Sequence, residues 1–348
     1  MKINISTFFY GNNYGALLQC YYLKKFIELN YNKTKVDFLK YQPKKLIFKE
    51  EISPIIKKNP FKFVDGLIRF KKLRTWKKKN ILSKPDYNKC ENSFSKNVSI
   101  YGSDEIWNFS NPFFGYDDFF FGKYDNSYKI SYAASFGSAK VSNLKKNIFI
   151  EIKNLLKKFS YLSVRDEFSR NLLKSEFNLD SEIVLDPIFL NNESNKNEIN
   201  YNGDKCIVYG NFFTNDQIKK IKNYCKYNKL NILSVGYYND WAENNVTMNP
   251  FEFIKILKKS KIIFTSMFHG VQFSIKFKKN FWYSVDPYRL NKLEYVLNKL
   301  NLKDREIKQN SNFSKEIDYI SIDKTLNDWK TTSKEFLIQS INSLENRI

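Results

Sequence analysis

Histidine is almost missing from this chain: 348 residues hold one, His269. Imidazole is the side chain that ordinarily titrates between about pH 5 and 8. Proton chemistry by an unshifted side chain near neutrality therefore falls to this residue. Cysteine is sparse as well. Cys20, Cys90, Cys206 and Cys225 form no C-x-x-C pair, and one histidine cannot complete a usual zinc set. Reduced, buried thiols are expected and a metal site is not. No apolar run is long enough to span a bilayer, and the mean hydropathy is −0.52. The opening MKINISTFFYGNNYG lacks the order of basic, apolar and small residues of a signal peptide. The expected location is the cytoplasm. No nucleic-acid-binding motif is present, so no nucleic-acid partner is expected. No repeat is visible beyond an alternation of strand and helix patterns.

What is abundant is positive charge, a formal net +22, with 42% hydrophobic and 17% aromatic residues. The length and the apolar content suit two packed domains. The charge attracts phosphorylated substrates, anionic headgroups and nucleic acid alike. Part of the lysine excess fits a chain rich in Lys, Asn, Ile, Phe and Tyr, as an AT-rich genome encodes. The densest basic segment is Lys71, Lys72, Arg74 and Lys77 to Lys79 around Trp76. It reads as a solvated helix face, or as a surface that lies on an anionic membrane.

The most informative stretch is Lys261 to Ile275. An apolar strand pattern, KIIF, turns through small polar residues and re-enters an apolar pattern of helical type. Strand, turn and helix in this order build ligand sites in parallel α/β sheets. His269 and Gly270 sit in the turn, with the helix expected to begin beside them and favour an anion. A buried histidine hydrogen-bonded at a strand end fits the turn equally well.

From the beginning, residues 1–9 read as a strand, and the turn Tyr10 to Gln19 contains Gly11 and Gly15 before an amphipathic helix. The glycine spacing is not a dinucleotide fingerprint. Residues 43–90 read as helices and loops over one face of the first domain. A strand ends in the turn Gly102-Ser103-Asp104, where Asp104 suits either a sugar hydroxyl or a helix N-cap. Tyr161 to Glu167 reads as one strand carrying Arg165, which forks onto an anion or pairs with a nearby acid. Ile183 to Pro187 reads as the last strand of the domain. The expected division is residues 1–190, a polar linker at 191–204, a second α/β domain at 205–325, and a helix at 326–348 that folds back. In the second domain, Arg289 follows Asp286-Pro287-Tyr288 in a turn. It suits an anionic substrate or a helix start on the surface.

GSDEIWN at 102–108, KISYAASFG at 129–137, SVRDE at 163–167, VLDP at 184–187, TSMFHGVQFSI at 265–275 and NYGALLQ at 13–19 together resemble the polysaccharide pyruvyl transferase family. The resemblance runs in order over residues 5 to 305. It implies an α/β fold of two Rossmann-like domains facing a cleft, similar to the GT-B glycosyltransferases. It also implies transfer of a pyruvyl group from phosphoenolpyruvate to a sugar, with a cyclic ketal formed and phosphate released. No cofactor or metal is implied. The acceptor is a saccharide of a surface polysaccharide or its lipid-linked precursor, with peripheral contact at the inner face of the membrane.

By the same resemblance, His269 is the catalytic acid and base, and Arg165 and Arg289 are donor ligands. Beside the resemblance, its place at a strand end suits Asp104 to handling the acceptor hydroxyl, and Gly270, Ser266, Asn13 and Gly15 are expected to line the substrate from their turns. Met267 departs from the family, whose members often carry arginine there; Lys276, Lys278 or Lys279 is expected to supply that cation. Two other classes remain compatible: a glycosyltransferase of the same architecture using a nucleotide sugar, and a non-catalytic protein that binds acidic glycans or membrane surfaces.

Overall fold

The structure is a computed structural model that describes residues 2–49, 60–81, 84, 86, 88, 89, 97–191, 204–285 and 290–347. Most of the expected linker, as well as Arg289 and Cys90, lies outside the described residues. The first half contains β1 (Lys2–Ser6), α1 (Tyr14–Asn30), β2 (Lys35–Phe38), α2 (Lys44–Ile47), α3 (Pro60–Asn80), β3 (Val98–Tyr101) and β4 (Tyr128–Ser131). It continues with α4 (Lys146–Leu156), β5 (Phe159–Tyr161), β6 (Ser163–Val164), α5 (Glu167–Leu172) and β7 (Glu182–Ile183). The second half contains β8 (Lys205–Tyr209), α6 (Asn215–Tyr227), β9 (Asn231–Val235), β10 (Asn244–Val246), α7 (Pro250–Lys258), β11 (Ile262–Thr265), α8 (Phe268–Lys276) and β12 (Asn280–Tyr283). α9 (Leu290–Lys299) and α10 (Tyr319–Glu345) follow.

Each half is a five-stranded sheet of parallel pairs, ordered β2-β1-β3-β4-β5 in the first and β10-β9-β8-β11-β12 in the second. Renumbered within the half, the second order is 3-2-1-4-5, that of a Rossmann sheet without its sixth strand. The central strands β3, β8 and β11 are buried almost throughout, because parallel sheets are covered on both faces. Register lines up Phe38, Ile5, Ile100 and Ile130 across the first sheet. Leu233, Ile207, Ile263 and Phe281 line up across the second. This second row belongs to the same hydrophobic cluster as the whole first sheet, whereas Cys206, Val208, Ile262 and Phe264 face a separate cluster. One core therefore runs through the contact between the halves.

Local chemistry sets the helix starts. Asn13 caps α1, its side chain accepting from the amides of Gly15 and Ala16. Thr214 with Gln217 and Asn249 with Glu252 form capping boxes on α6 and α7. α10 starts beside the second sheet, where the Tyr319 hydroxyl donates to the Lys279 carbonyl at 2.6 Å. It then crosses to the first half: Trp329 donates to the Ile183 carbonyl at 3.0 Å, and the Ser333 hydroxyl accepts from the Leu185 amide at 2.9 Å.

Three local expectations give way. The stretch Tyr161 to Glu167 is two short strands, and α5 begins at Glu167 because Asp166 caps the Ser169 amide at 2.7 Å. The strand expected at Ile183 to Pro187 is only Glu182–Ile183. Asp186 accepts from the Ile188 amide at 3.1 Å, and Pro187 has no amide to offer a ladder, so the chain turns into a 3-10 helix. The basic segment is not a cap on one face of the first half. On α3, Lys77 donates to the Tyr10 carbonyl at 2.8 Å, while Lys72 donates to the Thr247 carbonyl at 2.8 Å. The helix therefore bridges the two halves.

Candidate active site

His269 lies where the halves touch. At the end of β11 the Thr265 hydroxyl donates to the Tyr209 carbonyl at 2.7 Å and accepts from the Met267 amide at 3.0 Å. This turns the chain into α8. The helix begins at Phe268, ahead of the His269 and Gly270 that the sequence pattern leaves in the turn, so His269 belongs to its first turn. Gly270 is required by packing: a Cβ there would stand 2.0 Å from Thr265 Oγ1. Ser266 is buried and its hydroxyl accepts from the Phe212 amide at 3.1 Å, holding the loop after β8.

The imidazole reaches the first half directly. A Cβ on Gly15 would lie 2.2 Å from His269 Cγ and 2.3 Å from Nδ1. Gly15 is in the first turn of α1, so two helix N-termini meet face to face at the imidazole. Each carries about half a positive charge at its N-terminus. On its other edge the ring faces Asp186, with Nε2 at 3.5 Å from Oδ2, within ion-pair reach but not aligned as a hydrogen bond.

Asp186 Oδ2 is also 3.5 Å from Arg165 Nη1 and 3.5 Å from the Ser103 hydroxyl. Arg165 Nη2 reaches Asp104 Oδ1 at 3.3 Å, and its guanidinium lies 4.4 Å from the centre of the Phe268 ring. Side-chain exposure is 2% for Arg165, 1% for Asp186, 8% for His269 and 19% for Asp104, so solvent reaches the cluster chiefly past Asp104. Burial pushes the nearby Cys20 thiol well up, and the charges of Asp104 and Asp186 push it further.

These contacts change the sequence reading. Asp104 caps no helix. It adopts a left-handed backbone, φ 86°, and accepts from the Glu105 amide and from Arg165. Arg165 is not an open fork, since two carboxylates occupy its terminal nitrogens. Its Nε is buried and finds no hydrogen-bond partner. The lysines expected to replace the arginine at Met267 sit at the far end of α8 with other partners. Lys276 donates to the Ile188 and Asn191 carbonyls, Lys278 pairs with Asp323, and Lys279 donates to the Lys258 carbonyl. Cations near the site come instead from α3. Arg69 donates to the Asn12 carbonyl, and Lys77 donates to Asn12 Oδ1 at 3.2 Å. Asn13 itself is engaged as the α1 cap and by the Tyr209 hydroxyl at 3.5 Å. Asp186, Arg69 and Lys77 were missed. Only Asp186 had a local signal, an acid before proline at the end of an apolar run. Among the described residues no three His, Cys, Asp or Glu side chains group closely enough to hold a metal ion.

Two Rossmann-like halves meet at a histidine, an arginine and two aspartates, and the family comparison makes the protein a transferase. The family model for polysaccharide pyruvyl transferase matches residues 13–286, and the chain belongs to that family. No curated protein matches the sequence. Similar solved structures include MnaA from S. aureus with UDP, 13% identical, with 100% of this chain and 98% of that chain covered at a TM-score of 0.49. The UDP-GlcNAc 2-epimerase of Neisseria meningitidis bound to UDP-GlcNAc is 11% identical, with 99% and 100% covered and a TM-score of 0.47. The E. coli heptosyltransferase WaaC with ADP is 8% identical, with 94% and 100% covered and a TM-score of 0.39.

Proposed function

We propose that the chain transfers the pyruvyl group of phosphoenolpyruvate to two hydroxyls of one sugar, forming a cyclic ketal and releasing phosphate. The observation that carries this reading is the meeting of two helix N-termini at the lone imidazole. Their dipoles repel each other and favour an anion between them. Phosphoenolpyruvate brings a carboxylate and a phosphate, and Arg69 and Lys77 add positive charge beside the same turn.

The reaction needs a proton donor and then an acceptor. His269 protonates the methylene carbon, which makes the central carbon electrophilic. One sugar hydroxyl attacks that carbon, the C–O bond to phosphate breaks, and the second hydroxyl closes the ring. Of the two hydroxyl protons, one balances the new methyl group and the other leaves with phosphate. Positioned acid–base groups contribute about 10²–10⁴-fold. Asp104, the most open carboxylate, faces the acceptor hydroxyl. Arg165 offers its unpartnered Nε–H to a donor oxygen. Arg289 serves as a further donor ligand, Gly15 and Gly270 let the helix starts approach the substrate, and Asn13 and Ser266 hold the flanking turns.

The reading is tested by mass spectrometry of lipid-linked oligosaccharides incubated with the protein and phosphoenolpyruvate. The expected result is a mass gain equal to a pyruvate ketal, with phosphate released, and neither with His269→Ala. Equal turnover by that variant would remove the imidazole from the mechanism.

A lipid-linked acceptor places the enzyme at the inner face of the membrane. α3 offers a suitable face: Phe63, Val64 and Ile68 are exposed, and Lys71, Arg74, Lys78 and Lys79 continue the exposed side. No helix among the described residues is long and apolar enough to cross a membrane. Vesicles rich in phosphatidylglycerol should co-sediment the protein, and changing those four basic residues to Glu should abolish this. Undiminished binding by the variant would contradict the assignment.

A further inference from the structure

Asp186 has no role in the sequence reading, yet several parts of the fold converge on it and on the turn that carries it. Its Oδ1 is fixed by the Ile188 amide. The preceding residue is clamped on both sides: the Leu185 amide donates to Ser333 on α10, and its carbonyl accepts from the buried Tyr132 hydroxyl at 3.0 Å. The turn that follows is gripped by α8 itself, through Lys276 Nζ at 2.5 Å from the Ile188 carbonyl and 2.8 Å from that of Asn191. α8 is thus tied to the turn around Asp186 at both ends, by Lys276 in its last turn and by His269 in its first.

We propose that Asp186 is the positioning residue for His269, holding the imidazole as the Nε2–H tautomer and leaving Nδ1 as the nitrogen that handles the proton. Nε2 is buried with no hydrogen-bond partner and has the Asp186 carboxylate at 3.5 Å, so the carboxylate's charge favours the proton on that nitrogen and a small rotation of either group completes the bond. The other nitrogen, Nδ1, faces Gly15 in the first turn of α1, the helix start to which the proposed function assigns the anionic donor. Among the described residues, charged and titratable groups of the first half surround the pair. Asp186 faces Nε2, Arg165 lies beyond it, Asp104 is on the far side of Arg165, and the Cys20 thiol is close enough to feel both carboxylates. The pair spans the two halves, so it forms only when they are together.

This inference rests on His269 being the proton-handling group of the proposed reaction, but its first test does not. With one histidine in the chain, ¹⁵N-histidine labelling gives a single imidazole, and a long-range ¹H–¹⁵N correlation spectrum of the neutral ring reads its tautomer. Wild-type protein should show Nε2–H; a ring that is Nδ1–H in wild type overturns the proposal, whatever the activity assays give. Asp186→Asn should shift the tautomer mixture and lower kcat by about 10–100-fold, the usual effect of losing such a partner. The KM for phosphoenolpyruvate should stay near wild type. A variant with unchanged tautomer and kcat also overturns it. If wild-type protein never turns over phosphoenolpyruvate, the reaction assigned above fails, while the tautomer still decides the pairing.

Discussion

Replacing Gly15 by Ala should separate activity from stability. The added carbon would stand 2.2 Å from His269 Cγ, 2.3 Å from Nδ1 and 2.4 Å from its Cβ. Carbon atoms rest at about 3.5–4.0 Å, so ring and methyl must part by more than 1 Å. The ring has little room to do so, with Asp186 at one edge and Phe268 at 5.1 Å. Either the imidazole swings away from the donor or the halves move apart. A misplacement of about 1 Å costs about 10²-fold in rate. Stability changes less, because opposing effects act. Overpacking costs about 1–3 kcal/mol, whereas Ala in a helix gains up to about 1 kcal/mol over Gly. The assay is initial phosphate release beside urea unfolding. A double-mutant cycle isolates the cause: with His269→Gly in the background, which removes the ring and the Cβ at 2.4 Å, the overpacking cost of Gly15→Ala should vanish. A cost that persists there, or a wild-type rate in the single variant, would refute the contact.

Other expectations follow from the same contacts. Arg165→Ala strands Asp104 and Asp186 without their cation, and breaking such a buried pair costs about 3–5 kcal/mol. Arg165→Lys should cost less stability yet still weaken the donor, because a point charge cannot serve two carboxylates and a ligand together; denaturant titration and donor titration read the two effects. Burial holds Tyr101, Tyr132, Tyr209, Cys20 and Cys206 well above their ordinary pKa values. The unfolded chain releases these protons from about pH 8.5 upward, while the folded chain keeps them. The folded state then binds more protons, so stability is full below that pH and falls as pH rises, by up to about 1.4 kcal/mol per group per unit. Unfolding midpoints that are flat between neutral and strongly alkaline buffer would contradict that burial.

The strand–turn–helix around His269 is legible because a short continuous apolar run, KIIF, meets a helical pattern after the turn. The strands KCIVY and NILSV carry the same signal, a short apolar run. β10 does not, since Asn244-Asn245-Val246 is polar and short and is a strand only by pairing with β9. The site was less legible than the fold. Arg165 could be named from its motif, but its two carboxylate partners lie 61 and 21 positions away, and no local pattern encodes such pairs. Arg69 lies 57 positions from Asn12, just ahead of the basic segment, with no local pattern to set it apart. Pro187 announced the end of a strand; that the acid before it turns toward the imidazole depends on α8 and α10 packing there.

The crossing of α10 has a bearing on how the protein is made. Leu337, Ile341 and Leu344 are fully buried in the cluster that fills the first sheet, and Ser333 meets Leu185 across 148 positions of chain. The portion that leaves the ribosome first cannot seal its own interior. Domains ordinarily fold in order of synthesis, but here the earlier one must wait, with apolar surface uncovered, until the later one has emerged and delivered the missing helix.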